Sequence, residues 1–487
     1  MSIVAHPVSP RPAPSAQAAL LAAASGAALG IALVLDVTAG IFVAVAIAVA
    51  CITTVQPVAI ATVLAVSVFV ESIALEGVTI SRLLAPLALV VVGMQLLRGK
   101  AHVHLAAPLV WVVAYSIWAL ASGFWTVSTS TTLTLLASLA IAIVYMVTFA
   151  AMLSSERQLR QLLLGLAAAS CVAGAASIAA FGGLPVVGSL LTTSRAQGGV
   201  GDPNFFAHLQ VMAFPIVLVL ANEAQSRWRR WSLVFATFVT MASVFVTLSR
   251  GGMIALAVIT LLLVLMPAHG LFRTPQQKAT MLLVLAAGTL VLFSRPGFRS
   301  EVVSRVETLV SPSAEPTGAE AGSGRTEIWK AARATFSDHV VTGVGFGGFR
   351  VVSNDRLMQT PGVDVDKVSN HPHGIEAHSA YLGTAAELGV VGLTLFVAMV
   401  AATFVHLRRT AARARRAGAG FISRVAQALS LSIIGWTVCS FFLETETSRP
   451  IWIVIGLSLV LPKLIPAVRP ALPVSPPSRW LLRSWPE

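Results

Sequence analysis

Charge is scarce in this sequence: 11% of its 487 residues are Asp, Glu, Lys or Arg, while 56% are hydrophobic. A soluble domain carries about a quarter charged residues, so this chain has too little polar surface to cover a water-soluble fold. Cysteine is scarce as well. Cys51, Cys171 and Cys439 each lie in an apolar block without CxxC spacing, which reads as buried small side chains rather than a redox or metal motif. No stretch alternates apolar and polar residues as a membrane β-strand does. No internal repeat is visible. The glycine run 343–348 has no Lys-Ser/Thr after it, which excludes a P-loop and leaves a tight turn or a looser phosphate-contacting loop.

What is present is a series of long apolar runs, such as residues 105–121, 132–153 and 380–405. Runs of this length cross a bilayer as helices, because the backbone must satisfy its own hydrogen bonds there. About fourteen candidate spans follow, or about twelve if one early block does not cross. Their centres fall near Gly26, Val45, Ala65, Val90, Val113, Ile141, Ala169, Phe214, Phe238, Val258, Leu285, Leu393, Ile433 and Ile455. The first follows a polar, Pro-rich stretch and reads as an uncleaved span, because further spans succeed it directly.

The formal net charge of +13 belongs to membrane topology rather than to nucleic acid. The basic clusters (Arg98 and Lys100; Arg157 and Arg160; Arg227, Arg229 and Arg230; Arg273 and Lys278; Arg408 to Arg424; Lys463 onward) each follow an even-numbered span. One side therefore collects them, and the positive-inside rule makes that side cytoplasmic, with both termini on it. Single arginines such as Arg82 and Arg449 fall on the other side. The expected fold is an all-α polytopic helix bundle with one long extracytoplasmic loop containing short helices. The expected organisation is a cytoplasmic tail at 1–17, a first transmembrane part at 18–294, the extracytoplasmic loop at 295–377, C-terminal spans at 378–467 and a cytoplasmic tail at 468–487. In that loop, residues 311–324 read as flexible. Residues 326–337 read as an amphipathic helix, with Ile328, Trp329, Ala332 and Phe336 at helical spacing.

Charges pressed against apolar spans are candidates for function. Arg250, in Leu248-Ser-Arg-Gly-Gly-Met253, sits between two apolar blocks with almost no loop. It reads as a ligand contact or as an arginine snorkelling to headgroups. Arg195 stands in a turn-rich loop ending in Asp202-Pro-Asn204, where Asp202 or Asn204 suits a helix cap. Arg325 precedes the amphipathic helix. Three guanidinium groups on one face suit a phosphorylated ligand such as a diphosphate, which they grip in bidentate fashion. His371, His373 and His378 cluster around Glu376. A histidine there can accept a hydroxyl proton; the H-x-H-x4-H spacing fits a tetrahedral zinc site poorly. His378 opens a spanning helix and is the best placed of the three.

Together, Gly201-Asp-Pro-Asn-Phe-Phe206, Ser249-Arg-Gly-Gly252, Gly324-Arg-Thr-Glu-Ile-Trp329, Gly343-Val-Gly-Phe-Gly-Gly-Phe349, His378-Ser-Ala-Tyr-Leu382 and Glu387-Leu-Gly-Val-Val-Gly392 resemble the O-antigen ligase and polymerase family of bacterial membrane glycosyltransferases. The resemblance covers roughly residues 195–459. It implies transfer outside the cytoplasmic membrane, from a polyprenyl-diphosphate-linked glycan donor to a hydroxyl on a glycan or lipid-linked glycan acceptor. It also implies catalytic roles for Arg250, Arg325 and His378. Beside these, the residue reading gives Arg195, Asp202, Asn204, Gly345 and Gly347 as candidate substrate-binding residues. No metal and no cofactor are expected, and the displacement inverts the anomeric carbon. One departure is Ser379, where the family often has asparagine. Glu387 reads as a helix residue packed inside the protein. Ligase, repeat-unit polymerase and transfer to a protein acceptor share this donor chemistry. A transporter or flippase of the same lipid-linked glycan would instead need paired charges near mid-depth and broken helices in repeated halves.

Overall fold

The computed structural model describes residues 58–71, 74–75, 78–103, 105–184, 191–192, 195–267, 270–294, 299–300, 303, 324–368 and 372–466. The spans expected at Gly26 and Val45, most of the segment 311–324, His371 and both tails lie outside them. Fourteen α-helices carry the described residues. They are α1 Val58–Ser67, α2 Ile80–Leu97, α3 Ala107–Ala121, α4 Thr129–Met152, α5 Glu156–Phe181, α6 Pro203–Glu223, α7 Arg227–Val246, α8 Arg250–Leu265, α9 Pro275–Phe293, α10 Arg325–Asp338, α11 Gly348–Gln359, α12 Ala380–Arg416, α13 Gly420–Cys439 and α14 Arg449–Val460. Every expected span centre within the described residues falls inside one of them. Strand is confined to two-residue hairpins, one of which pairs Leu191–Thr192 with Arg195–Ala196. The chain is an all-α polytopic membrane protein.

Eight helices, α2–α7, α12 and α13, are long and apolar enough to cross a bilayer. Among the others, α8 has 16 residues and α14 has 12, while α9 has 19. Helix starts are fixed by side-chain caps. Ser128, Ser155, Ser226, Ser249 and Ser379 each accept an amide of the first turn with their hydroxyl, and Asp202 does so with its carboxylate. Such a cap takes up one of the four amides a helix start leaves orphaned.

The most enclosed helix is α6, buried along nearly its whole length between α5, α7, α8 and α13. Its Ser170-facing Gln210 and its Met212 carbonyl, which accepts the Ser432 hydroxyl at 2.6 Å, tie it to α5 and α13. Outer helices turn apolar side chains outward: Leu89 is 57% exposed and Val172 70%. That costs little where lipid is the solvent. Two ends can be told apart. Glu223 at the foot of α6 takes Arg424 of α13 at 2.5 Å and Arg160 of α5 at 3.6 Å, and Lys463 reaches the Ala150 carbonyl. The opposite end gathers the starts of α6, α8, α12 and α14, where Arg449 pairs with Glu71 at 3.2 Å.

Over that second end sits a small layer with its own core. Ile328 and Ala332 of α10, Phe349 and Leu357 of α11, Ile375 and Ala377, and Ala386 of α12 pack together. The amphipathic helix is therefore real, with Ile328, Ala331 and Ala332 facing inward. The glycine run anchors this layer. Gly343 (φ +65°) lies on the backbone of Glu387 and Leu388, and Gly389 (φ +66°) lies on Val341, where α12 leaves helical geometry. The Gly345 amide donates to the Glu387 carbonyl at 2.8 Å and the Val390 amide to the Val340 carbonyl at 2.7 Å. A Cβ at Gly343 or Gly389 would collide with backbone.

Gly343→Ala and Gly389→Ala should each destabilise by more than the about 1 to 3 kcal/mol of a strained left-handed backbone. Gly418→Ala, equally left-handed but with open space at its Cβ, should show only that strain. Thermal unfolding midpoints of the three variants check the order.

Candidate active site

The turn between α7 and α8 is the first element. Its Leu248 has φ +53°, and His378 has φ +49°. They are the only non-glycine residues with positive φ among the described residues, and both adjoin the groups singled out for chemistry. Left-handed backbone at a bulky residue persists only where the surroundings enforce it. Here Ser249 caps α8 and its amide donates to Thr247 Oγ1 at 3.1 Å. Gly252 lies so close to Ala207 of α6 that a Cβ would not fit without movement. Arg250 thereby becomes the first residue of α8.

Arg195 is held at both ends of its guanidinium. Nε donates to the Thr247 carbonyl at 3.0 Å and one terminal nitrogen donates to Asn204 Oδ1 at 3.0 Å. Asp202 caps α6 by accepting the amides of Asn204 and Phe205, both at 2.8 Å. Thus Asp202 and Asn204 both serve the turn, and Asn204 also orients Arg195.

Arg325 is the first residue of α10, and Gly324 before it adopts φ +56°. Arg250, Arg195 and Asp202 all lie near enough to act on it electrostatically. Burial first, then Arg250 and Arg195, pull its pKa down to about 10, with Asp202 opposing. Its Nε is buried and has no hydrogen-bond partner among the described residues. Two helix starts, α8 and α10, thus present arginines to one small volume, where the partial positive charge of helix N-termini adds to theirs.

The residue before His378 is tied to α10, whose first residue is Arg325. The Trp329 indole of α10 donates to the Ala377 carbonyl at 3.1 Å, and its ring lies 6.2 Å from that of Phe442. Phe442 in turn lies against Gly251. The segment after α13 braces both sides: the Ser440 and Leu443 carbonyls each accept the Ala380 amide at 2.9 Å. Ser379 acts as the α12 cap, so a hydroxyl does locally what an asparagine side chain also can.

The structure brings Arg195, Asp202, Asn204, Arg250 and Arg325 together, and joins the segment before His378 to α10 through Trp329. It gives Gly345 and Gly347 another task. The Gly345 amide is engaged by the Glu387 carbonyl, and the amides of Gly347 and Phe349 hydrogen bond the Glu387 carboxyl. Glu387 is indeed a buried helix residue, and it caps α11. His373 is exposed, and no group of three metal-ligating side chains occurs among the described residues.

Sequence reasoning missed Glu444. Its Oε1 accepts the Ala377 amide at 2.6 Å, directly before the strained His378, and lies beside Gly383. Burial and the neighbouring Glu446, Glu376 and Glu387 push its carboxyl well above the usual range. Glu446 is pushed up to about 7, chiefly by burial, and its Oε2 has no hydrogen-bond partner among the described residues. Nothing in the local sequence Glu444-Thr-Glu446 separates such carboxyls from solvated loop residues.

The fold defines the class, a multi-pass α-helical membrane protein. Residues 235–397 match the family model described as O-antigen ligase. That matched segment is similar to the O-antigen ligase family and contains Arg250, Arg325 and His378. No curated protein sequence matches the chain.

Glu444→Ala should lower kcat while leaving donor KM nearly unchanged, because it loosens the backbone under His378 and spares the arginines. Glu444→Gln keeps a carbonyl acceptor and should recover most of the loss. Glu446 bears on pH. Its folded-state pKa lies above the ordinary carboxyl value, so its contribution to stability is complete below about pH 4.5 and is lost as pH rises through about 7. The unfolding midpoint should fall between pH 5 and pH 8, and Glu446→Gln should flatten most of that slope.

Proposed function

We propose that the protein transfers a glycan from a polyprenyl-diphosphate carrier to an acceptor hydroxyl at the extracytoplasmic face of the bacterial cytoplasmic membrane, as an O-antigen ligase does. The observation that carries the reading is the pair of helix-initial arginines, Arg250 and Arg325. They lie within reach of each other's charge and that of Arg195, and one buried Arg325 nitrogen has no hydrogen-bond partner among the described residues. Guanidinium groups gathered in this way suit a diphosphate.

In the reaction the acceptor oxygen attacks the anomeric carbon of the donor sugar. The bond from that carbon to the diphosphate oxygen breaks, and the polyprenyl diphosphate leaves with the electron pair. Arg250 and Arg325, oriented with Arg195, stabilise the negative charge that grows on the leaving oxygens. His378 accepts the proton of the attacking hydroxyl. A single displacement inverts configuration. The guanidinium groups supply the positive charge that a divalent cation supplies elsewhere. Charge supports this sidedness: the basic clusters crowd the far end, around Glu223 and the foot of α12, the end that the positive-inside rule assigns to the cytoplasm.

Purified protein given a polyprenyl-diphosphate glycan and an acceptor tests this reading. Arg250→Ala, Arg325→Ala and His378→Ala should each cut kcat by roughly a hundredfold or more. Arg325→Lys should rescue only weakly, since an ammonium lacks the planar fork. Activity that survives Arg250→Ala and His378→Ala removes the mechanism, and loss of activity on chelation points to a metal instead. Products with many repeats, rather than single additions, identify a polymerase.

A further inference from the structure

A second pocket lies at the opposite end of the bundle. It is a cavity of about 620 Å³ between the foot of α6, the first turns of α7 and the start of α9. The 21 residues of α6 put it about 30 Å from Asp202 at 1.5 Å per residue. It is therefore separate from the arginine and histidine site by the thickness of a bilayer core.

Its mouth suits an anion. Arg227 and Arg230 line it, no carboxylate does, and neither arginine has a carboxylate partner among the described residues. The nearest acid, Glu223, is turned to Arg424 and Arg160. Two helix starts converge on it: Ser226 caps α7, and Thr274 Oγ1 accepts the Gln277 amide at the head of α9. Asn222 supplies an independent sign of a missing ligand. It lines the cavity, is 3% exposed, and its Nδ2 has no hydrogen-bond partner among the described residues. A buried donor left unsatisfied costs about 1 to 3 kcal/mol, so an acceptor is expected there.

Beyond the mouth the lining becomes apolar, with Val234 of α7 and Met281 and Val284 of α9. Trp231 stands between the two zones, 51% exposed, as tryptophan does at headgroup level. Charged and apolar lining side by side in one cavity selects an amphiphile over a free anion.

We propose that this cavity binds an anionic phospholipid of the leaflet opposite the active site. Its phosphate sits among Arg227, Arg230, the Asn222 amide and the two helix starts, and an acyl chain runs down along Val234 and Val284. The lipid joins α9 to the foot of α6, the helix whose other end carries Asp202 and Asn204.

Native mass spectrometry and thermal unfolding of the full-length protein test the proposal, with phosphatidylglycerol and phosphatidylcholine as probes. The wild type should retain phosphatidylglycerol in preference to phosphatidylcholine and unfold at higher temperature with it. Arg227→Ala/Arg230→Ala should bind it roughly thirtyfold more weakly. Asn222→Asp, which puts a carboxylate into the cavity, should weaken it as well. Arg229→Ala removes the same charge from the same turn outside the cavity lining and should change little. An equal loss in Arg229→Ala would overturn the proposal in favour of diffuse surface attraction. Equal stabilisation by inorganic phosphate would overturn it in favour of a free-anion site.

Discussion

Like charges repel, and in a partly dehydrated volume the repulsion between unit charges is several times what it is in water. The site end of this protein is organised around that cost. Arg195, Arg250 and Arg325 act on one another strongly enough that burial and mutual repulsion pull Arg325 down to about 10. At neutral pH all three guanidinium groups still carry their charge. Asp202 offsets part of the repulsion, and the Thr247 carbonyl and Asn204 hold Arg195. What is left over is a positive field that a bound diphosphate would neutralise. Without such a ligand the arrangement is a standing debit on stability, which is characteristic of sites shaped for a charged partner.

Three separate supports keep the charges from moving apart. The α7–α8 turn is forced into its left-handed step by the cap at Ser249 and the contact of Gly252 with α6. The second support, α10, is pinned by its own small core and by Trp329 against Phe442. The segment after α13 touches both Gly251 and the amide of Ala380, so Arg250 and His378 share a foundation. The glycines at 343 and 389 belong to the same scheme, since they let the layer carrying Arg325 lie directly on the α12 backbone.

Much of this was legible in the sequence, for identifiable reasons. Apolar runs report the solvent, so each expected span centre within the described residues fell in a helix, and Ile328 and Ala332 marked the buried face of α10 correctly. Arginines beside apolar blocks are costly enough to stand out singly, which is why Arg250 and Arg325 were visible. The glycine run was visible too, but its purpose was not. Its amides face the chain's own Glu387 rather than open space, and that depends on a contact across about forty residues. Glu444 was hidden for the same reason. Its significance comes from the amide of Ala377, far away in the chain, and no local pattern encodes such a partner.

The bundle's most enclosed helix joins the two polar ends. At one end of α6 stand Asp202 and Asn204, which set the cap and orient Arg195. At the other stands Glu223, held by Arg424 and Arg160. A rod buried on every side cannot tilt or slide without disturbing α5, α7, α8 and α13 together. Its fixed ends therefore determine how precisely the arginines are placed. The interior around it is packed rather than fluid. The arginine-bearing end and the ion-paired end are thus the two ends of one buried rod.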